Sequence, residues 1–248
     1  MRILFLTHNF PRFAGDVSGA FLATLAQALR VRGHEVRVIA PSDQGDVGEG
    51  QLAGIPIRRV RYADPAQETL AYRGTMADAI RHPAGWRTLV SLWRAMRKAA
   101  LEEITAGAHL VHAHWWVPAG LASPSSVPLV LTVHGTDGAL LRKSHLARWV
   151  AAPVFRRASV VTAVSQSLAA DVREFTGRVI PEQGIQPMPV DVARYRSWSS
   201  GGKGLVVVAR LTAQKRIGMA LRALAELPED IHLTIVGEGP ERERLEAL

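Results

Sequence analysis

The sequence predicts an α/β fold with a parallel sheet, one lobe complete and a second only begun, and three observations carry that reading. Short apolar, β-branched runs alternate with segments of helical spacing, the order that covers both faces of a parallel sheet. A proline- and glycine-bearing loop follows the first run, where open parallel sheets place their ligand loops. A Ser/Gly-rich stretch precedes a second β-loop-helix pattern beginning at Leu205. With 248 residues and 48% hydrophobic composition, the chain can bury a substantial core.

The first strand is read over Arg2–His8, and its loop carries Pro11, Gly15 and Gly19. Ser18 is the expected cap of a helix whose Phe21, Leu22, Leu25 and Leu29 recur at helical spacing, and Gly33 is its expected left-handed stop. Glu35–Ala40 is the second strand; together these elements open a Rossmann-like half, although Gly15 and Gly19 do not spell the dinucleotide fingerprint. Residues 45–54 read as a surface loop ahead of a strand at Ile55–Arg61. From about Gly85 to Ile104 the spacing is helical, with Trp86, Leu89, Val90, Trp93 and Met96 on one face and Arg87, Arg94, Arg97 and Lys98 elsewhere. Such a basic amphipathic helix fits either the core-facing side of a globular domain or an anionic membrane surface.

His109–Ala113 is the next strand. Histidines 112 and 114 share one of its faces, but no carboxylate lies between 109 and 118, so packed or hydrogen-bonded histidines are expected rather than metal ligands. Pro128–Val133 delivers His134-Gly-Thr-Asp137 to its carboxyl end, where His134 either hydrogen-bonds a ligand or satisfies local backbone. Arg142, Lys143, Arg148, Arg156 and Arg157 make the following region basic. Ser159–Val164 is a strand, Ser165 caps a helix through Phe175, and Arg178–Pro181 is a further short strand.

The domains are placed at 1–195 and 204–248, with a linker at 196–203. In the second, Leu205–Ala209 reads as a strand buried on both faces and ends at Arg210; Lys215 follows just before helical spacing resumes. Two cations at a strand-to-helix turn suit a diphosphate, because a helix start adds free backbone N–H groups; ordinary surface cations are the alternative. Ile231–Val236 leads to Gly237-Glu-Gly-Pro, which lacks the third glycine of a dinucleotide motif. P-loop, nucleophile-elbow, kinase and repeat signatures are missing from the sequence.

The glycine loop, Arg32-Gly-His-Glu-Val, Val111-His-Ala-His114, Thr132-Val-His-Gly135, Val164-Ser165, Pro189-Val-Asp191, Ala209-Arg-Leu with Lys215, and Ile235-Val-Gly-Glu-Gly-Pro240 resemble, in order and spacing, glycosyltransferase family 4. The resemblance implies a GT-B fold and retaining transfer of a sugar from a nucleotide-sugar donor to an acceptor hydroxyl on a lipid, glycan or small molecule. By that resemblance Arg210 and Lys215 hold the donor diphosphate, Gly15 and Gly19 let backbone reach a phosphate or acceptor, His134 contacts the transferred sugar, and Gly237 and Glu238 lie near the nucleoside. No metal or other cofactor is expected, since no Asp-Xaa-Asp motif occurs. The family's second domain continues beyond the length seen here, so a truncated product, a fragment or a remnant completed by another chain is expected, with a non-catalytic acceptor-binding or membrane-docking module as the alternative. The segment Pro181-Glu-Gln-Gly184 departs from the family's usual hinge.

The chain has no Cys and thus no disulfide or thiolate metal site. No apolar run approaches the ~18 residues of a membrane span, so a cytoplasmic location is expected, with peripheral contact at an anionic inner membrane face compatible with the basic helix. The formal charge of +8 favours an anionic partner. Nucleic acid is not expected, for no basic-aromatic groove or binding motif occurs.

Overall fold

The computed structural model describes residues 1–72, 76, 82–192 and 204–248. The expected linker at 196–203 lies outside the described residues. The chain divides into two compact units, Met1–Asp191 and Val192–Leu248.

The first unit holds seven strands: β1 (Arg2–Leu6), β2 (Glu35–Pro41), β3 (Gly48–Leu52), β4 (Ile55–Val60), β5 (Leu110–His114), β6 (Leu129–Val133) and β7 (Val160–Ala163). Their order is β3-β4-β2-β1-β5-β6-β7, and every pairing is parallel except that of β3 with β4. The helices are α1 (Ala20–Val31), α2 (Pro83–Thr105), α3 (Gly135–Lys143), α4 (His145–Arg157) and α5 (Gln166–Thr176). Alternation along the strands sorts the core into two layers. Ile3, Phe5, Val36, Val38, Ile55 and Ile57 meet Leu22 and Ala26 of α1 on one face. On the other, Leu4, Leu6, Val111, Leu129, Leu131 and Val133 meet Leu92 and Met96 of α2, Leu141 of α3, Ala151 and Phe155 of α4, and Leu168 and Val172 of α5.

Several sequence expectations need correction. Residues 48–52 are not loop but edge strand β3, joined to β4 by a two-residue turn in which Ala53 and Gly54 have φ of 48° and 77°; these positive angles match the twist of a tight hairpin. The sparse apolar content of Gly48–Leu52 hides it, because an edge strand needs ladder hydrogen bonds more than buried side chains. Gly19, not Ser18, occupies the N-cap of α1, with no side-chain cap bond. No ladder forms at Arg178–Pro181; only Ile185 bridges to Ala163. On α2 the buried stripe is Leu92, Met96, Ala99 and Ala100, and Trp86 and Val90 are exposed. At 100° per residue, Trp86 and Val90 lie roughly 120° and 160° around the axis from Leu92, so they cannot share its face.

The second unit contains parallel strands β8 (Leu205–Val208) and β9 (Leu233–Val236), helix α6 (Ile217–Leu224) between them and a final short helix α7 (Arg242–Glu246). Leu211, Ile217 and Leu245 form its small core. Contrary to expectation, β8 is not buried on both faces: Leu205, Val206 and Val208 are exposed among the described residues, since a two-stranded sheet has no further layer to cover them.

Gly19 decides how α1 meets the sheet. Its φ is 69°, and a Cβ there would stand 2.4 Å from the Asn9 carbonyl oxygen, whereas Gly15, at φ 90°, faces open space. Gly19→Ala is therefore expected to cost roughly 3 kcal/mol and Gly15→Ala only about 1, measured as the shift in urea midpoint.

Candidate active site

Strand order reverses beside β1: the chain moves outward through β2 and β4, then crosses back to β5 on the other side. The crevice at such a reversal, beyond the strands' carboxyl ends, is where open parallel sheets bind ligands. His8 follows β1 and Trp115 follows β5, and their rings stand 4.5 Å apart across it.

The wall beyond them is aromatic and imidazole-rich. Trp115 stacks on His134 at 4.1 Å, and Phe21 from the first turn of α1 lies 5.5 Å from His134. His134 Nε2 and His114 Nδ1 are 3.3 Å apart, so one donates to the other. His114 stacks on His112 at 4.3 Å, and Phe5 meets both edge-on. His112 Nε2 pairs with Thr132 Oγ1 at 2.7 Å. Among the described residues no group of His, Asp or Glu is arranged to hold a metal.

His134, at the strand-end turn, is the N-cap of α3. Asp137, fully enclosed, accepts from His134 N at 2.7 Å and from Trp116 N at 3.1 Å. Its carboxyl group ties the turn after β5 to the helix start after β6, and the Trp115 indole N–H reinforces this by donating to Thr136 Oγ1 at 2.9 Å. The sequence offers one signal for Asp137, an Asp three residues after a strand-end cap, and none for Trp115.

A second polar group braces the glycine loop from the other side. Arg12 Nε and Nη2 donate to the two oxygens of Asp16 at 2.6 and 3.2 Å, and Nη1 donates to Asp43 at 2.6 Å. Asp16 also receives the backbone N–H of Arg12 and Ser18. Buried Arg59 donates to the Pro11 carbonyl at 2.6 Å and to Tyr72 Oη at 2.9 Å, with Asp46 2.7 Å from its Nε. These residues were missed because they are scattered in sequence.

In the second unit, Arg210 follows β8 and Lys215 closes a 3₁₀ turn, Ala213–Lys215, ahead of α6. Both are exposed and lack a carboxylate partner among the described residues. Gly237 and Gly239 permit close approach of two loops: Cβ atoms there would lie 1.8 Å from the Ala209 oxygen and 2.3 Å from the Leu211 oxygen. Leu211 N donates to Glu238 O at 2.8 Å, stitching the loop that bears Arg210 to the one that bears Glu238. The Glu238 side chain pairs with Arg242 at 2.6 Å. Thus His134 stands with the glycine-loop helix in the first unit, while Arg210, Lys215, Gly237 and Glu238 share the carboxyl end of the second unit's sheet. A Cβ at Gly15 would meet nothing within 4 Å.

The fold and these strand-end loops define an α/β protein of GT-B type. Residues 18–193 match the sequence model of Glycosyltransferase Family 4, and the chain belongs to that family. It is 27% identical to glycogen synthase of Mycobacterium tuberculosis over 99% of its own length and 63% of that protein's. It is 24% identical to a putative teichuronic acid biosynthesis glycosyltransferase, TuaC, of Bacillus subtilis, covering 99% of this chain and 67% of that one. Among solved structures, sucrose-phosphate synthase from Thermosynechococcus elongatus superposes with a TM-score of 0.64 at 17% identity, covering all of this chain and 67% of that one. Anabaena Alr3699/HepE, in complex with UDP and glucose, gives 0.59 at 19% identity, with 100% and 64% covered.

Burial governs titration in the ring cluster. It pushes the His8 and His112 imidazoles down to about 4. His134 falls to about 3, through burial first and then the neighbouring His8 and His112. Asp137 is pushed up to about 8 by burial, against the two N–H bonds that favour its charge. The depressed histidines contribute stability that is complete above their ordinary 6.5 and is lost as pH falls through about 4 and about 3. Asp137 acts oppositely, its contribution present below its ordinary 3.8 and lost as pH rises through about 8. His112→Gln, which keeps a partner for Thr132, is expected to flatten the loss of unfolding free energy between pH 6.5 and 4.5 by up to about 1.4 kcal/mol per pH unit; urea titrations across that range check it.

Proposed function

We propose that this protein transfers a sugar from a nucleotide-sugar donor to an acceptor hydroxyl with retention of anomeric configuration. The observation that carries the proposal is the placement of Arg210 and Lys215, two exposed cations without a carboxylate partner among the described residues, at a strand-end turn in a chain of glycosyltransferase family 4. Solved structural neighbours bear compatible ligands: HepE holds UDP and glucose, and starch synthase IV from Arabidopsis thaliana holds ADP and acarbose. The comparisons do not favour the alternative of a non-catalytic binding module, since the named relatives are synthases and transferases.

In this reading the anomeric carbon–oxygen bond to the diphosphate breaks first, leaving oxocarbenium character on the sugar and negative charge on the departing nucleoside diphosphate. Arg210 supplies a planar fork and Lys215 a point charge to that diphosphate, a role that calls for no metal. The acceptor oxygen then bonds to the anomeric carbon on the same face, and its proton passes to the departing phosphate oxygen. His134, held neutral, offers a hydrogen-bonding edge beside the Trp115 wall for a sugar hydroxyl. The backbone at Gly15 and Gly19 meets the phosphate or the acceptor, and Gly237 and Glu238 flank the nucleoside. The acceptor is a lipid, a glycan or a small molecule.

Saturating sugar nucleotide is expected to raise the melting temperature, with about 2.7 kcal/mol of added stability at a hundredfold excess over Kd. Arg210→Ala and Lys215→Ala are each expected to lower kcat/KM by roughly 10²- to 10³-fold, and EDTA to leave turnover unchanged. A panel of uridine, adenosine and guanosine diphosphate sugars that leaves the melting curve unmoved, or full turnover in both variants, refutes the assignment.

A further inference from the structure

The outer surface of α2 and α4 carries the exposed tryptophans of the first unit's described residues. On α4, Ala147, Ala151, Val154 and Phe155 face the core, which turns Trp149 outward at 76% exposure with Leu146 at 60% beside it. On α2, Trp86 and Val90 are 49% and 40% exposed. They line a shallow groove of about 340 Å³ with Arg87, Ser91 and Arg94. Two exposed tryptophans with aliphatic neighbours are uncommon on a surface in contact only with water.

The charge on this surface has one sign. The sequence holds no Asp or Glu from Pro83 to Leu101, or from Gly138 to Ala170. Lys143 and Arg156 on or beside the exposed side of α4, and Arg87, Arg94 and Lys98 on α2, have no carboxylate partner among the described residues. Arg142 is the exception, paired with Asp171. Glu102 and Glu103, at the far end of α2, pair with Arg58 and Arg37, and Asp64 lines the hollow that also receives Arg87.

Both helices belong to one layer, joined by the segment between them in space. Trp93 donates to the Leu121 carbonyl at 3.1 Å, Arg97 to that of Ser123 at 3.3 Å, and Arg157 to those of Pro124 and Gly120 at 2.7 and 3.1 Å. Each helix precedes a parallel strand, β5 or β7, and therefore starts near the strands' carboxyl ends, so Trp86, Val90, Leu146 and Trp149 lie toward the end of the sheet that bears His134.

From this geometry we infer that the outer surface of α2 and α4 docks on an anionic lipid bilayer, the Trp86–Val90 and Leu146–Trp149 pairs entering the interface and the flanking cations meeting lipid phosphates. Aromatic rings partition to the headgroup level, and each basic side chain near an anionic surface adds attraction that salt screens. Among the described residues no helix is long and apolar enough to cross a membrane. Docking in this way holds the ring cluster's end of the sheet near the bilayer. The inference does not depend on sugar transfer.

The test is cosedimentation of the full chain with vesicles of phosphatidylcholine alone or with 30 mol% phosphatidylglycerol. The chain is expected to partition onto the anionic vesicles, to stay off the neutral ones, and to leave the former in 0.5 M NaCl. The double variant K143E/R156E is expected to lower partitioning at least about tenfold, and Trp149→Ser several-fold. A charge-matched control just after α1 and in the second unit, R32E/R222E, is expected to change it less than about twofold. Melting curves establish that each variant folds, and the salt release of the unaltered chain reads the same surface without substitution. Equal binding to neutral vesicles, absence of binding to either, or an equal loss in the control overturns the inference.

Discussion

The constraint on which this structure depends is the reversal of strand order on either side of β1. β2 and β4 extend the sheet one way and β5 to β7 the other, all but the edge strand β3 running parallel. Two loops that leave neighbouring strands in opposite directions cannot cover the space between them, so a crevice remains at their carboxyl ends. His8 and Trp115 are its two lips. Gly19 brings α1 down against Asn9 and sets Phe21 within ring contact of His134 and Trp115.

Shaping that crevice requires polar groups inside a protein, and several are tied to partners from other elements, while His8 Nδ1, Asn9 Oδ1 and His114 Nε2 have no hydrogen-bond partner among the described residues. Asp137 joins the ends of β5 and β6; Arg12 and Arg59 join the glycine loop to the ends of β2 and β4. The Asp16 carboxyl lies below its ordinary value although burial alone would raise it, because hydrogen bonds from Arg12 and Ser18 favour its charged form. Removing one member of such a group leaves its partner buried and unsatisfied, which is costlier than never having built the pair. These contacts make the loops rigid enough to present the aromatic wall in one arrangement.

The second unit applies a different device to the same end. Its two-stranded sheet has little core, and the loops bearing Arg210 and Glu238 are held together by backbone bonds that only glycine at 237 and 239 allows. The glycines that suggested a broken dinucleotide motif in the sequence are explained by this loop-to-loop approach. The Arg210 and Lys215 side chains are exposed and have no carboxylate partner among the described residues.

Much of this was legible in the sequence. The alternation of short apolar runs with helical spacing determined the parallel sheet, since period two and period 3.6 bury different residue patterns. The spacing of the histidine, glycine and cation motifs determined the family and the candidate residues His134, Arg210 and Lys215. Tertiary structure alone decided the rest. Whether Trp86 faces core or solvent depends on the rotational setting of α2 against the sheet, which five residues of apolar spacing do not fix. The partnership of Asp137 with Trp116, or of Arg59 with Pro11, joins positions far apart in the chain. Local propensity carries no information about such pairs; they exist only once the strands have set their order.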